Sequence, residues 1–444
     1  MKKLVALGLA AAVATAGLGM FAGCSGEGFA VGLIALHDSN STYDKNFIDA
    51  MEEACDDLDV ELIIKTNVPE TNDCYDAASD LVDQGCDVIF ADSFGHETHV
   101  MRAAEENPLV EFCHATGTNA HISDLPNFHN AFASIYEGRY LAGVAAGMKL
   151  VEMYKGGELE GKYVDGNIKI GYVGAYTYAE VISGYTSFYL GAKSIVEEEI
   201  TDHDLVMDVQ FTGSWFDEVA ERNAANTLIQ GGAVLISQHA DSMGAPAACE
   251  EAGVPNVSYN GSTASECPDT YIVSSRINWV PYFKYMITQA KGIYETRQAA
   301  KAAADEAGEE IDLEEVDISE YAIVDDWTGT IDTGSVVLTE LGSAAAAGTQ
   351  EKIDAVMAQL KSGALKVFDT SKFTVTVVNT GDSQKNVNAT VDADGHLTGY
   401  KPSVDIEGAE AVKDGVFEES TLRSAPYFDV QIDGITLLNA AYGD

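Results

Sequence analysis

The sequence predicts an α/β protein made of two open lobes, each a parallel β-sheet with helices on both faces. Three observations predict it. Short apolar runs of strand length alternate with amphipathic segments of helical period. The alternation occurs in two separate series. Finally, 444 residues with 46% hydrophobic content can bury the cores of two or three domains, at roughly 100–200 residues each.

The first series opens with the apolar run Val31–Leu36. Ser41-Thr-Tyr-Asp44 then forms a capping box for a helix whose apolar positions Phe47, Met51, Ala54 and Leu58 keep helical spacing. Val60–Thr66 reads as a strand, Asp73–Gln84 as a helix stopped by Gly85, and Val88–Ala91 as a strand. His96–Glu106 reads as a helix and Val110–Cys113 as a strand closed by turn residues. The order βαβα implies right-handed crossovers and a parallel sheet. The second series follows a helix over Tyr136–Tyr154. Its strands are Ile168–Val173, Val206–Phe211, Val234–Ser237 and Asn256–Tyr259, and its helices Ala179–Glu198, Glu218–Gln230 and Ala245–Ala252. Beyond it lie an acidic, Ala-rich stretch over 299–320, the strand-like Ser335–Leu338, a helix over Thr349–Lys361, and a tail from 371 onward rich in Thr, Val, Asp and Gly.

Charge narrows the functional classes. Lys and Arg number 25 against 71 Asp and Glu, a net charge of −46, and such a surface repels phosphate backbones, so no nucleic-acid partner is expected. Gly (41) and Pro (9) occur at ordinary frequency, which indicates neither collagen nor low complexity. Lys2 and Lys3 precede the apolar run Leu4–Ala22, then Gly23 and Cys24, the pattern of an export signal. A transmembrane anchor is the other reading of that run. The cysteine after Phe21-Ala22-Gly23 resembles a bacterial lipoprotein processing site, which makes residues 1–24 a lipoprotein signal with lipidation at Cys24. Of seven cysteines, six then remain; none forms a CxxC pair, and disulfides or buried free thiols are both compatible with export.

Ligands of open α/β sheets bind outside the carboxyl ends of the strands, so two facing lobes would bind between them. The strand-end loops carry a recognisable set of motifs: Asp92-Ser-Phe-Gly-His-Glu97, His114-Ala-Thr-Gly117, Ile135-Tyr-Glu-Gly-Arg-Tyr-Leu-Ala-Gly143, Gly213-Ser-Trp-Phe-Asp217, Gln238-His-Ala-Asp241 and Asn278-Trp279. In this order they resemble the basic membrane protein family of substrate-binding lipoproteins that serve ABC transporters, over about residues 29–370. The resemblance implies a type I periplasmic-binding-protein fold: two Rossmann-like lobes, a hinge, and a ligand clamped between them. It implies a lobe of residues 29–133 plus about 270–298, a second of 134–265 plus about 322–370, an insertion over 299–320, and a C-terminal extension over 371–444. It also implies permease and ATPase partners and a purine nucleoside or base as ligand; no cofactor or metal is expected, since the histidines of His96-Glu97-Thr98-His99 are three apart rather than four and no phosphate-binding loop motif is present.

A flat heteroaromatic ligand needs stacking faces and in-plane polar groups. Phe47 and Trp215 are the expected plates, one from each lobe, although Phe47 also suits a helix core position. Polar candidates are Asp38, Asp92, Ser93, Asp241, Asn260 and Arg276, with Phe94 beside them; each polar group suits a turn or cap as well as a ligand. Nucleoside-binding relatives resemble this chain less at Thr116 and Asn260, where they carry acidic residues, and near Arg276 or Asn278, where their ribose-holding lysine falls. That pattern favours a purine base, or a nucleoside held differently. Two other classes compete. Ala91-Asp-Ser93-Phe-Gly95 is shaped like a nucleophile elbow, and Ser93 with Asp217 and His239 would make a hydrolase triad in that chain order. A membrane-tethered sensor could share the clamp.

Overall fold

The computed structural model describes residues 28–380 and 383–442; the expected export signal over residues 1–24, with Cys24, lies outside them. Among the described residues no helix is long and apolar enough to cross a membrane.

In chain order the first lobe contains β1 (Ala30–Ile34), α1 (Thr42–Leu58), β2 (Glu61–Lys65), α2 (Asn72–Asp83), β3 (Val88–Ala91), α3 (Glu97–Glu106), β4 (Glu111–Ala115) and β5 (Phe128–Ala133). The second contains α4 (Ile135–Lys155), β6 (Ile168–Gly174), α5 (Ala179–Glu199), β7 (Leu205–Phe211), α6 (Glu218–Gln230), β8 (Ile236–His239), α7 (Gly244–Ala252), β9 (Asn256–Tyr259) and β10 (Tyr271–Ile277). The chain then returns to the first lobe as α8 (Val280–Ala307) and β11 (Asp326–Gly329), and to the second as β12 (Val336–Leu338) and α9 (Thr349–Lys361).

The first sheet runs β11-β5-β4-β3-β1-β2 and is parallel throughout. The second runs β12-β10-β9-β8-β6-β7 and is parallel except for the β10–β12 pair. Strands β1, β3 and β6, inside the two sheets, are near-continuous apolar runs buried on both faces, as parallel sheets require. Helix α1 starts where the capping box places it, with the Ser41 side chain accepting from the Asp44 amide. Helices α4 and α5 cross at two glycines. A Cβ on Gly143 would strike the Phe188 carbonyl, and one on Gly191 the Tyr140 carbonyl, so the backbones touch there.

Three connections pass between the lobes: β5 to α4, β10 to α8, and β11 to β12. They bond to one another, Ser134 N donating to Gly329 O (2.8 Å) and Asn278 N to Ser335 O (2.7 Å). This is a hinge.

Three boundaries differ from the expectation. The strand inside about 270–298 belongs to the second sheet, because β10 pairs in parallel with β9; only α8, which packs on α1, joins the first lobe. The strand at 326–329, inside about 322–370, belongs to the first sheet, where it pairs with β5. The stretch over 299–320 is not a separate insertion, since residues 299–307 are the last turns of α8, ended by Gly308 with a positive φ.

The tail forms three small hairpins, β13 (Val378–Thr380) with β14 (Ser383–Lys385), β15 (Ala389–Val391) with β16 (Leu397–Tyr400), and β17 (Val412–Lys413) with β18 (Val416–Phe417). It ends by adding β19 (Ile435–Leu437) to the second sheet beside β7. One apolar cluster runs from Phe47 and Phe90 through Leu141 and Phe188 to Phe428 and Ile432, joining both lobes and the tail.

Candidate functional site

The loops at the carboxyl ends of both sheets meet in a cavity of about 370 Å3 of atom-free space, its mouth included. Leu36, His37, Tyr43, Asp44, Ser93, Phe94 and Thr116 line it from the first lobe, and Glu180, Trp215, His239, Asp241 and Asn260 from the second. The lobes are closed on it. Thr42 donates to the Asp241 carbonyl through its amide (3.0 Å) and its hydroxyl (3.2 Å). The rings of His37 and Phe216 face each other across the mouth at 5.4 Å, those of Phe94 and Tyr178 at 5.5 Å.

Five of the nine residues picked from sequence line this cavity: Ser93, Phe94, Trp215, Asp241 and Asn260. Four do not. Phe47 is fully buried and packs on Trp279, Phe90 and Phe283, so it is a core residue of the first lobe rather than a plate of the cleft. Asp38 forms a local turn, accepting from the Asn40 amide and side chain. Asp92 lies behind the wall, accepting from the Leu36 amide (3.1 Å) while its carbonyl accepts from the Tyr43 hydroxyl (2.7 Å). Arg276 sits at the hinge end of β10 and donates to Asn46 of α1.

The aromatic lining from the first lobe comes instead from Tyr43, one helical turn before Phe47, and from Phe94, which is 41% exposed. Tyr43, His37, Asp44 and Glu180 were missed. The available signal was position: His37 follows β1, Tyr43 and Asp44 begin α1, and Glu180 begins α5, all at carboxyl ends of strands. Thr116 and Asn260, which immediately follow β4 and β9, have φ of 62° and 66°. Asn accepts the left-handed region readily, whereas a β-branched Thr there is strained, and such strain gathers at binding sites.

The carboxyl groups differ in charge state. Burial opposes ionisation of Asp44, but the His37 side chain and amide and the Ser41 hydroxyl outweigh it and hold the carboxyl below its ordinary value. Burial pushes Asp241 well above its ordinary value; repulsion from Asp44 and Glu221 adds to this, and the hydrogen bond from Asn260 (3.1 Å) opposes it. Burial also lowers His239, against the pull of Glu180 3.4 Å away, so its imidazole is neutral at pH 7. The cavity therefore offers an ionised acceptor in Asp44, a carboxyl in Asp241 whose charge burial disfavours, and the neutral imidazole of His239. None of its lining residues is Lys or Arg.

The residues of the competing triad are engaged elsewhere. Ser93 Oγ donates to Glu70 (2.6 Å), Asp217 caps α6 by accepting from Ala220 N (2.9 Å), and His239 pairs with Glu180. The six described cysteines are separate buried thiols. Burial holds those of Cys55, Cys74 and Cys86 up at about 12.

The family model for PnrA-like ABC transporter substrate-binding proteins matches residues 33–305, more than half of the chain. The chain belongs to this family, Bmp. A purine-binding protein of Brucella abortus is 32% identical to this Bmp protein over 234 residues, 53% of this chain and 59% of the relative. A Haloferax volcanii protein, provisionally named as an ABC transporter glucose-binding protein, is 33% identical over 197 residues, 44% of each chain. The match thus spans about half the length of either relative. Among solved structures, an ABC transporter solute-binding protein of Aeropyrum pernix superposes with a TM-score of 0.58 at 13% identity, over 77% of this chain and 93% of its own. That likeness concerns the fold alone, the type I periplasmic-binding-protein fold of two hinged lobes.

Proposed function

We propose that this Bmp protein captures a purine base or nucleoside between its lobes and presents it, on the extracytoplasmic side, to the permease and ATPase subunits of an ABC importer. Lipid on Cys24 would hold it at the membrane. The observation that carries this reading is one cavity lined by Tyr43 and Phe94 from the first lobe and Trp215 from the second, together with two carboxyl groups, Asp44 and Asp241, that are shifted in opposite directions.

Stacking on an aromatic ring contributes about 1–3 kcal/mol per base and accepts any π-face, so the edge groups must supply the selectivity. The ionised Asp44 can accept from a ring N–H or a hydroxyl. Asp241, whose ionisation burial disfavours, can donate from its protonated form to a ring nitrogen or carbonyl. Leaving either unpaired in a closed cleft costs free energy, which penalises ligands that lack the matching groups. A phosphate would enter beside carboxylates with no lining cation to receive it, so bases and nucleosides suit the cavity and nucleotides do not.

The test is a melting-temperature screen of the full chain against adenine, guanine, hypoxanthine, their nucleosides, nucleotides and D-glucose, followed by calorimetry. A ligand that binds only the folded state raises the melting temperature. Purines or nucleosides should do so. A rise with glucose and none with any purine would replace this reading with sugar capture, in line with the name of the Haloferax relative.

A further inference from the structure

The family model ends at residue 305, yet the chain's last described segment reaches the wall of the cleft. Strand β19 lies along β7 in parallel register, Ile435 opposite Met207 and Leu437 opposite Val209. Its docking begins at Gly434, whose carbonyl accepts from Met207 N (2.9 Å) and whose φ is 92°. A Cβ there would strike the Tyr189 hydroxyl, so only glycine brings the backbone this close.

Beyond the strand the pairing continues through a side chain. The Asn439 amide accepts from Phe211 N (2.8 Å) and donates to Phe211 O (2.9 Å), at the last residue of β7. The next four residues are Thr212, Gly213, Ser214 and Trp215. Ala441 then bonds the neighbouring loop twice: its carbonyl accepts from Thr177 N (2.6 Å), and its amide donates to Thr177 Oγ1 (3.0 Å). Thr177 stands between Tyr176 and Tyr178. Their rings pack against Trp215 at 5.1 and 6.1 Å, and that of Tyr178 also meets Phe94 across the cleft.

We infer that Asn439 and Ala441 are positioning residues of the ligand site: the C-terminal strand ties together the two loops that hold Trp215 and so sets the aromatic wall of the second lobe. The role of Trp215 as a ligand face rests on the function proposed above, but the placement of its ring by the tail does not. Ordering of an aromatic wall before the ligand arrives reduces what binding must expend on immobilising side chains.

The test uses the full chain carrying Asn439→Ala, with acrylamide quenching of tryptophan fluorescence in the absence of ligand. Quenching should rise in Asn439→Ala and stay unchanged when the same substitution is made in a Trp215→Phe background. Adenosine or adenine affinity should fall by about tenfold, part of the stacking contribution. A lower melting temperature with quenching unchanged would overturn the inference, since Asn439 would then only stabilise the sheet edge. Where Asn439→Ala does not fold, Thr177→Val removes one of the two bonds to Ala441 and serves the same comparison. If the unsubstituted protein binds no purine, the proposed function fails while the quenching comparison still decides this inference.

Discussion

Phe47 lies against Trp279 with ring centroids 4.5 Å apart and planes 29° from parallel, deep in the first lobe. Tyr43, one turn earlier on α1 and 4.8 Å from Phe47 between centroids, lines the cleft instead. The helix thus splits one aromatic stripe between core and ligand site. Phe47→Ala should therefore lower unfolding free energy by about 3–5 kcal/mol, the usual result of emptying a large core position. Tyr43→Ala should weaken purine binding by about 1–3 kcal/mol with a much smaller loss of stability. Urea denaturation and calorimetry on both variants check this, and a reversed pattern would return Phe47 to the site.

Trp215 is half-buried, in a turn held by Tyr176 and Tyr178. Trp215→Ala should reduce purine affinity by about 1–3 kcal/mol and leave the circular dichroism spectrum unchanged. Equal affinities by calorimetry would take Trp215 out of the site.

Asp241 binds its proton more tightly in the folded protein than its ordinary value of 3.8 allows, because burial and the neighbouring carboxylates disfavour its charge. The unfolded chain releases that proton, so the contribution of Asp241 to stability is full at low pH and declines as pH rises above about 4. Asp241→Asn removes the titration. The stability difference between the Asn variant and the unsubstituted protein should therefore grow in favour of Asn from pH 4 to pH 7, and a constant difference by denaturant titration across that range would contradict it.

At the membrane, Cys24→Ser should release the protein into the soluble extracytoplasmic fraction of expressing cells. Retention of the variant in salt-washed membranes would favour the apolar run Leu4–Ala22 as a transmembrane anchor.

Much of the site was legible because strand ends are a local property. Once β3, β7, β8 and β9 are recognised from their apolar runs, Ser93 and Phe94, Trp215, Asp241 and Asn260 follow as the residues just beyond their carboxyl ends, and all of them line the cavity. What failed was orientation. Asp38, Asp92 and Arg276 also stand at strand ends, but whether such a side chain turns to the cleft, to a turn amide or to the hinge depends on partners distant in sequence, such as Asn46 for Arg276.

On its own, the order of residues determined the two α/β series, the helix starts, and the face of each sheet on which a ligand would sit, because period and capping are set by neighbours within a few positions. Only the tertiary structure decided that β10 joins the second sheet and β11 the first, that Tyr43 rather than Phe47 lines the cavity, and that the tail returns to the loop of Trp215. Those outcomes depend on pairings between segments far apart in the chain, up to the 264 residues that separate Thr177 from Ala441, and no local pattern encodes which edge or face such a segment will find.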